Sequence, residues 1–221
     1  VSGPTMQQRM LEAMLPADLA ERPVRWQQQK SARTRQRLVE SAIDCLVEGG
    51  FTGLTTQQAA ERSGVSRGAM HHHFATRMDL AAAVVDHVFY RRMELFLDDY
   101  LGTVVGANDG DLLEFGTAAH WRSVQTREYA AYVELAVAAR TDAELNRVFE
   151  PAARRYDEVW ITEMIESFPQ WQSRWDKMKL VNDLVIATHM GLLLNRQVMG
   201  EDRIAQVGKL LTRVVGMLYE E

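Results

Sequence analysis

The side chains best equipped for chemistry crowd into one short run: Ser66, Arg67, His71, His72 and His73, with Thr55-Thr56 ahead of it and Arg77 behind. Hydroxyl, guanidinium and imidazole groups at this spacing are donors for phosphate oxygens and base edges, which is the chemistry of nucleic-acid binding. The competing chemistry is a metal site, because neutral imidazole ligates zinc. Three adjacent residues on a helix point in three directions and cannot converge on one ion, so no metal is expected. Catalysis finds little support: there is no Glu-x-x-His pair for a di-iron bundle, no His-Glu-x-x-His and no phosphate-binding glycine loop. Neither an enzyme nor a cofactor is expected.

The elements that must carry these groups read as helices throughout. From Thr34 to Glu48 the pairs Leu38/Val39, Ala42/Ile43 and Leu46/Val47 recur every four residues, which predicts a helix that Gly49-Gly50 stops. Thr55-Thr56-Gln57-Gln58 matches a capping box, so a second short helix should run to Arg62 or Ser63. Gly64 then turns the chain, Ser66 caps again, and Arg67 to His73 form a third short helix ended by Phe74. Longer helices follow over about 77–100, 111–126, 127–140, 142–168, 173–197 and 201–219. Breaks fall from Gly102 to Gly110, at Pro169 and at Met199-Gly200, and Pro151 starts or kinks a helix. The prediction is an all-α chain of about nine helices without a strand.

Composition agrees with this. Of the 221 residues, 47% are hydrophobic and 25% charged, which excludes wholesale disorder and leaves room for a core. The single cysteine, Cys45, lies on the apolar side of its helix; it excludes an internal disulfide and fits a reducing, cytoplasmic setting. No apolar run approaches the ~18 residues of a membrane span, so a soluble protein is expected. The net charge of -5 is unevenly shared: residues 30–77 carry +3 and residues 78–221 carry -8, so one end suits a polyanion. Residues 1–29 stay open. Val1 to Thr5 read as a cloning remnant ahead of Met6. Met6, Met10 and Met14, with Leu11 and Leu15, make a short amphipathic helix, while Arg22, Arg25, Trp26 and Lys30 make an arm on DNA; an unstructured leader is the third reading.

The stretch Arg35 to Leu80 resembles the TetR family of bacterial transcriptional repressors. The matching residues are Leu38-Val39, Ala42, Glu48-Gly49-Gly50-Phe51, Leu54-Thr55-Thr56, Ala59-Ala60, the run Gly64 to Phe74, and Arg77. Ala59 replaces the family's larger aliphatic residue, His71 its usual tyrosine and Arg77 its usual lysine. The resemblance implies a three-helix helix-turn-helix domain over 30–76 and a larger effector-binding and dimerisation domain over 77–221. It implies that Ser66, Arg67, Gly68 and Met70 open the recognition helix, with Arg67 reading a guanine, and that Thr55, Thr56, His71, His72 and Arg77 sit on phosphates. Arg33 and Arg35 would reach the backbone or an adjacent minor groove.

The middle helices hold Phe89, Met93, Phe96, Phe115, Trp121, Tyr129, Tyr132, Trp160 and Met164. They are either plain core or the walls of a small-molecule pocket, and His120 and His189 are either ordinary half-buried histidines or part of it. The family places its effector pocket in this region, which implies a hydrophobic or aromatic effector. In the last two helices Val181, Leu184, Val185, Thr188, Gly191, Leu192 and Asn195 form one stripe; Ile204, Val207, Gly208, Leu211, Val214, Val215 and Leu218 form another. By resemblance, about 173–197 and 201–219 form a homodimer interface, so that two recognition helices can meet a double-stranded palindromic operator.

Overall fold

The computed structural model describes residues 3–20, 25–103 and 109–220. Among them are eleven α-helices, one 3-10 segment and no strand. Nine helices match the nine expected from periodicity; the two additional ones lie within residues 1–29. The first of these, α1 (Met6–Met14), opens on a capping box between Thr5 and Gln8 and buries Met10 and Met14 completely. Helix α2 (Ala17–Ala20) carries Asp18. Met6–Met14 is therefore a packed helix rather than an unstructured leader. Arg25 is the cap of α3, and Trp26 and Lys30 lie in its first turns, whereas Arg22 is outside the described residues.

Helix α3 (Trp26–Gly53) starts a full two turns before Thr34. Its inner stripe is Leu38, Val39, Ala42, Ile43, Cys45 and Leu46. Gly50 interrupts it at φ 63°, ψ -172°, a backbone state that only glycine adopts cheaply, so the predicted stop is a kink within one element. Helices α4 (Thr56–Ser63) and α5 (Arg67–His73) follow, then α6 (Arg77–Thr103), α7 (Asp109–Ser123), α8 (Arg127–Ala139) and α9 (Ala143–Ser167). The break foreseen at Gly102 to Gly110 falls largely on residues 104–108, outside the described residues. Pro151 neither starts nor ends α9; it sits exposed inside it, and Glu150 and Arg154 pair across it at 2.7 Å. After the 3-10 segment Pro169–Arg174 come α10 (Trp175–Leu194) and α11 (Arg196–Glu220), with Gly200 leaving the helical region near the start of α11.

Two compact units emerge. The first comprises Val1–Met93 and Arg127–Val159, the second Glu94–Thr126 and Trp160–Glu221. This grouping differs from a boundary at residue 76, because α8 packs on α3. In the first unit α3 also packs on α4, and α4 on α5. Arg127, the first residue of α8, donates to Glu40 at 2.6 Å and to Asp44 at 2.8 Å on α3, and to its neighbour Glu128 at 2.8 Å. Asp18 is held by Arg35 at 2.9 Å and by the buried His87 at 3.1 Å. Burial alone raises a carboxyl pKa; the hydrogen bonds and charges of His87 and Arg35 outweigh it and hold Asp18 at about 2.

The second unit packs α7 against α10 and α11. Leu112, Met164, Trp171 and Met178 form one core cluster; Val181, Val185, Leu211 and Val215 form another. His120 and His189 face each other with Nδ1 atoms 2.9 Å apart, an arrangement in which one ring donates and the other accepts. Desolvation pushes His189 down to about 4, consistent with a neutral ring there.

Candidate nucleic-acid interface

The turn between α4 and α5 is built from local chemistry. The Thr55 hydroxyl accepts from the Gln58 backbone N–H at 3.1 Å and donates to the Gln58 side-chain oxygen at 3.2 Å, so Gln58 returns its bond to the hydroxyl and not to the backbone. Gly64 closes α4 at φ 66°, ψ 25°, the left-handed state of a helix C-cap. Ser66 Oγ then accepts from Ala69 N–H at 3.2 Å and starts α5. The run Gly64-Val65-Ser66-Arg67-Gly68 also has the G-x-S-x-G spacing of a serine nucleophile. That motif needs a strand before the serine to expose its oxygen on a strained turn. Here a helix precedes it and Oγ is spent on a cap.

Helix α5 divides its residues sharply. Ser66, Arg67, Gly68, His71 and His72 are exposed, while Met70 is 1% exposed. Met70, expected to help open the reading face, is enclosed in the core, whereas His71 and His72 after it are exposed. Arg67 has only a long 3.5 Å contact to Gln57, so its guanidinium is available to a base edge. Arg33 is exposed, and Thr56 is half-buried in the first turn of α4.

Two arginines expected on DNA are engaged within the protein. Arg77 donates to the carbonyl oxygens of Phe51 and of Leu54, the latter at 2.6 Å, and lies 4.1 Å over the Phe51 ring. It ties the foot of α6 to the end of α3 with two of its five N–H donors. Arg35 donates to Asp18 and, at 3.2 Å, to the His73 carbonyl, and lies 4.2 Å over Phe74. Both sets of bonds have one cause: acceptors distant in sequence arrive in space. Arg37 likewise donates to the Ser63 carbonyl, clamping the end of α4.

The aromatic set expected around an effector separates between the two units. In the first, Phe89, Met93 and Tyr129 are buried, and the Phe89 and Tyr129 rings meet Tyr132 at 5.7 Å and 5.4 Å. In the second, Phe96 meets Trp160 edge-on at 5.1 Å, Trp160 also packs against the cluster containing Met164, and Trp121 lies 5.3 Å from His189, the partner of His120. Phe115 is half-buried. Residue type alone also missed Arg92, Phe149 and Tyr156, which join Phe89 and Tyr132 in the first unit. A signal was present: Arg92 occupies an inward register, four residues after Val88 and four before Phe96.

The family model for bacterial regulatory proteins of the tetR family matches residues 38–84. The uncharacterized HTH-type transcriptional regulator Rv2912c of Mycobacterium tuberculosis is 30% identical over 151 residues, 66% of this chain and 76% of that one. The HTH-type transcriptional repressor AcnR of Corynebacterium efficiens is 26% identical over 171 residues, 77% of this chain and 85% of AcnR. Among solved structures, the multidrug binding protein EbrR complexed with proflavin has a TM-score of 0.54 at 20% identity, covering 81% of this chain and 98% of EbrR, a likeness of fold. The family is one of transcriptional regulators and not of enzymes, and no described helix is long and apolar enough to cross a membrane. Two short helices joined at Gly64 after the long α3, an exposed Arg67 and these matches agree: the chain belongs to the tetR family of DNA-binding transcriptional regulators.

Proposed function

We propose that this regulator is a repressor that binds a palindromic operator as a homodimer and leaves it when a small hydrophobic or aromatic effector binds. Residues 30–76 serve the DNA, residues 77–221 the effector and the partner subunit, in the cytoplasm. The observation that carries the reading is the solvent-facing side of α5, where Arg67 and its neighbours Ser66, Gly68, His71 and His72 meet no core. A helix of this kind fits the major groove, and a two-fold pair sets two of them about 34 Å apart, one turn of DNA. Arg33 and the half-buried Thr56 flank it as candidates for phosphate, with the Thr55 hydroxyl already committed to its cap.

Dimerisation is supported by uncovered apolar side chains. Leu180, Leu184 and Leu194 stand exposed along α10 with Gly191 between them, and Leu210 and Met217 along α11. Within the expected stripes, Val181, Val185, Leu211 and Val215 are spent on the core, so Leu180, Leu194, Leu210 and Met217 replace them as candidates for the partner. A face this apolar gains from a second copy by removing each leucine from water, worth ~1.5 to 3 kcal/mol apiece. AcnR, a repressor, and EbrR, holding proflavin, support the repressor and effector parts of the reading.

The test is selection of bound duplexes from a random pool, followed by sedimentation and a compound screen for release. An inverted repeat bound by a dimer, released by an aromatic compound and lost in Leu184→Lys/Leu194→Lys, is the expected result. A featureless pool without compound response would instead indicate an architectural DNA-binding protein.

A further inference from the structure

We propose that Arg92 anchors an anionic effector, a small organic acid whose carboxylate docks on the guanidinium beside Tyr132 and Tyr156. This rests on the reading of the chain as an effector-responsive regulator, and it changes the effector from a merely apolar molecule to an acid.

Arg92 is 9% exposed. Its guanidinium carbon lies 3.8 Å from the Tyr132 ring centre, 4.8 Å from Tyr129, 5.1 Å from Tyr156 and 5.7 Å from Phe89. Aromatic faces attract a cation but accept nothing in its plane, and all five N–H donors of a guanidinium lie in that plane. The Nε atom is sealed from solvent without a hydrogen-bond partner. Among the described residues no carboxylate or carbonyl receives a bond from Arg92, in contrast with Arg35, Arg37, Arg77 and Arg127, each of which ends on an acceptor.

The two terminal nitrogens of Arg92 are not among the sealed, unpartnered atoms, and no hydrogen bond to another described residue occupies them. Two parallel N–H bonds from such an edge are the standard grip on a carboxylate, and a tyrosine hydroxyl can add a third. The tyrosines do not supply the missing charge themselves. Burial pushes Tyr129 up to about 12 and Tyr156 upward as well, so both are neutral near pH 7. A buried cation without a counter-ion is costly to keep, and a neutral effector would desolvate it further; an acid relieves it.

The experiment measures melting temperature and calorimetric binding on the full chain without DNA. The probes are benzoate, salicylate, phenylacetate and hexanoate, each beside its neutral amide. At least one carboxylate is expected to raise the melting temperature and to bind about tenfold or more tightly than its amide, since a site built for a charged group rejects the analogue lacking it. Arg92→Gln and Arg92→Met should both abolish that difference, and Tyr132→Phe should weaken it. Arg92→Met should melt at or above the wild-type temperature, because an apolar side chain of similar length relieves the buried charge. The proposal is overturned if no carboxylate binds, if acid and amide bind alike, or if Arg92→Met melts lower while binding acids unchanged. Operator release is read separately. Acid binding through Arg92 without release leaves this site standing and removes the effector-responsive reading; release by neutral compounds with Arg92→Met does the reverse.

Discussion

Arg77 and Arg92 stand on the same helix and have opposite surroundings. At the foot of α6, Arg77 finds the carbonyls of Phe51 and Leu54 and the face of Phe51. Four turns on, Arg92 finds four ring faces and, among the described residues, no acceptor. The residue type is identical; the difference is whether the in-plane donors end on oxygen. Where they do, the arginine ties elements of the fold together. Where they do not, the charge is available to something that arrives from outside, as with Arg67 on the surface of α5 and Arg92 inside.

The sharpest way to break this contrast is Arg77→Ala. Losing two charged hydrogen bonds and leaving two carbonyls unpaired should cost about 3 kcal/mol in urea denaturation. The salt slope of DNA binding should stay where it was. A slope reduced by about one, with an unmoved urea midpoint, would return Arg77 to the phosphates.

Asp18→Asn tests the same logic at Arg35 and should cost about 2 kcal/mol at pH 7, since each pKa unit is about 1.4 kcal/mol. The native carboxyl is held at about 2 against 3.8 when unperturbed. Its contribution is therefore complete above 3.8 and disappears as pH falls through about 2, where wild type and variant should converge. Arg67→Ala, by contrast, should leave stability within about 0.5 kcal/mol of wild type and lose about 2 kcal/mol of preference at one base pair. Equal losses on every operator variant would reassign Arg67 to the backbone. The smallest effect belongs to Ser66→Ala, about 1 kcal/mol of stability from the lost cap at Ala69.

Where determinants are local, the chain was readable. The caps at Thr55 and Ser66 and the left-handed Gly64 act within four residues, and the third helix runs from Arg67 to His73 as its sequence suggests. Where contacts depend on distant partners, the sequence alone did not reveal them. Arg35 looks free until Asp18, 17 residues earlier, is beside it, and Met70 looks like a reading residue until α5 turns it inward. The fourfold spacing of Met6, Met10 and Met14 suggested a helix, but not that Met10 and Met14 would be fully enclosed. Aromatic and apolar character marks the rings of the expected effector region but gives no sign of Arg92, whose guanidinium lies against Tyr132 and Tyr156.

Helix α8 gives these separate findings a mechanical link. Its first residue is bolted to Glu40 and Asp44 of α3, and Tyr129 and Tyr132, less than two turns later, flank Arg92. Thirteen residues make a strut about 20 Å long. On the proposed reading, an occupant pressing on those tyrosines would act on α3, which packs on α4, without crossing a loop. Thermodynamic reciprocity then requires that an operator duplex alter the occupant's affinity by the same factor by which the occupant alters the operator's.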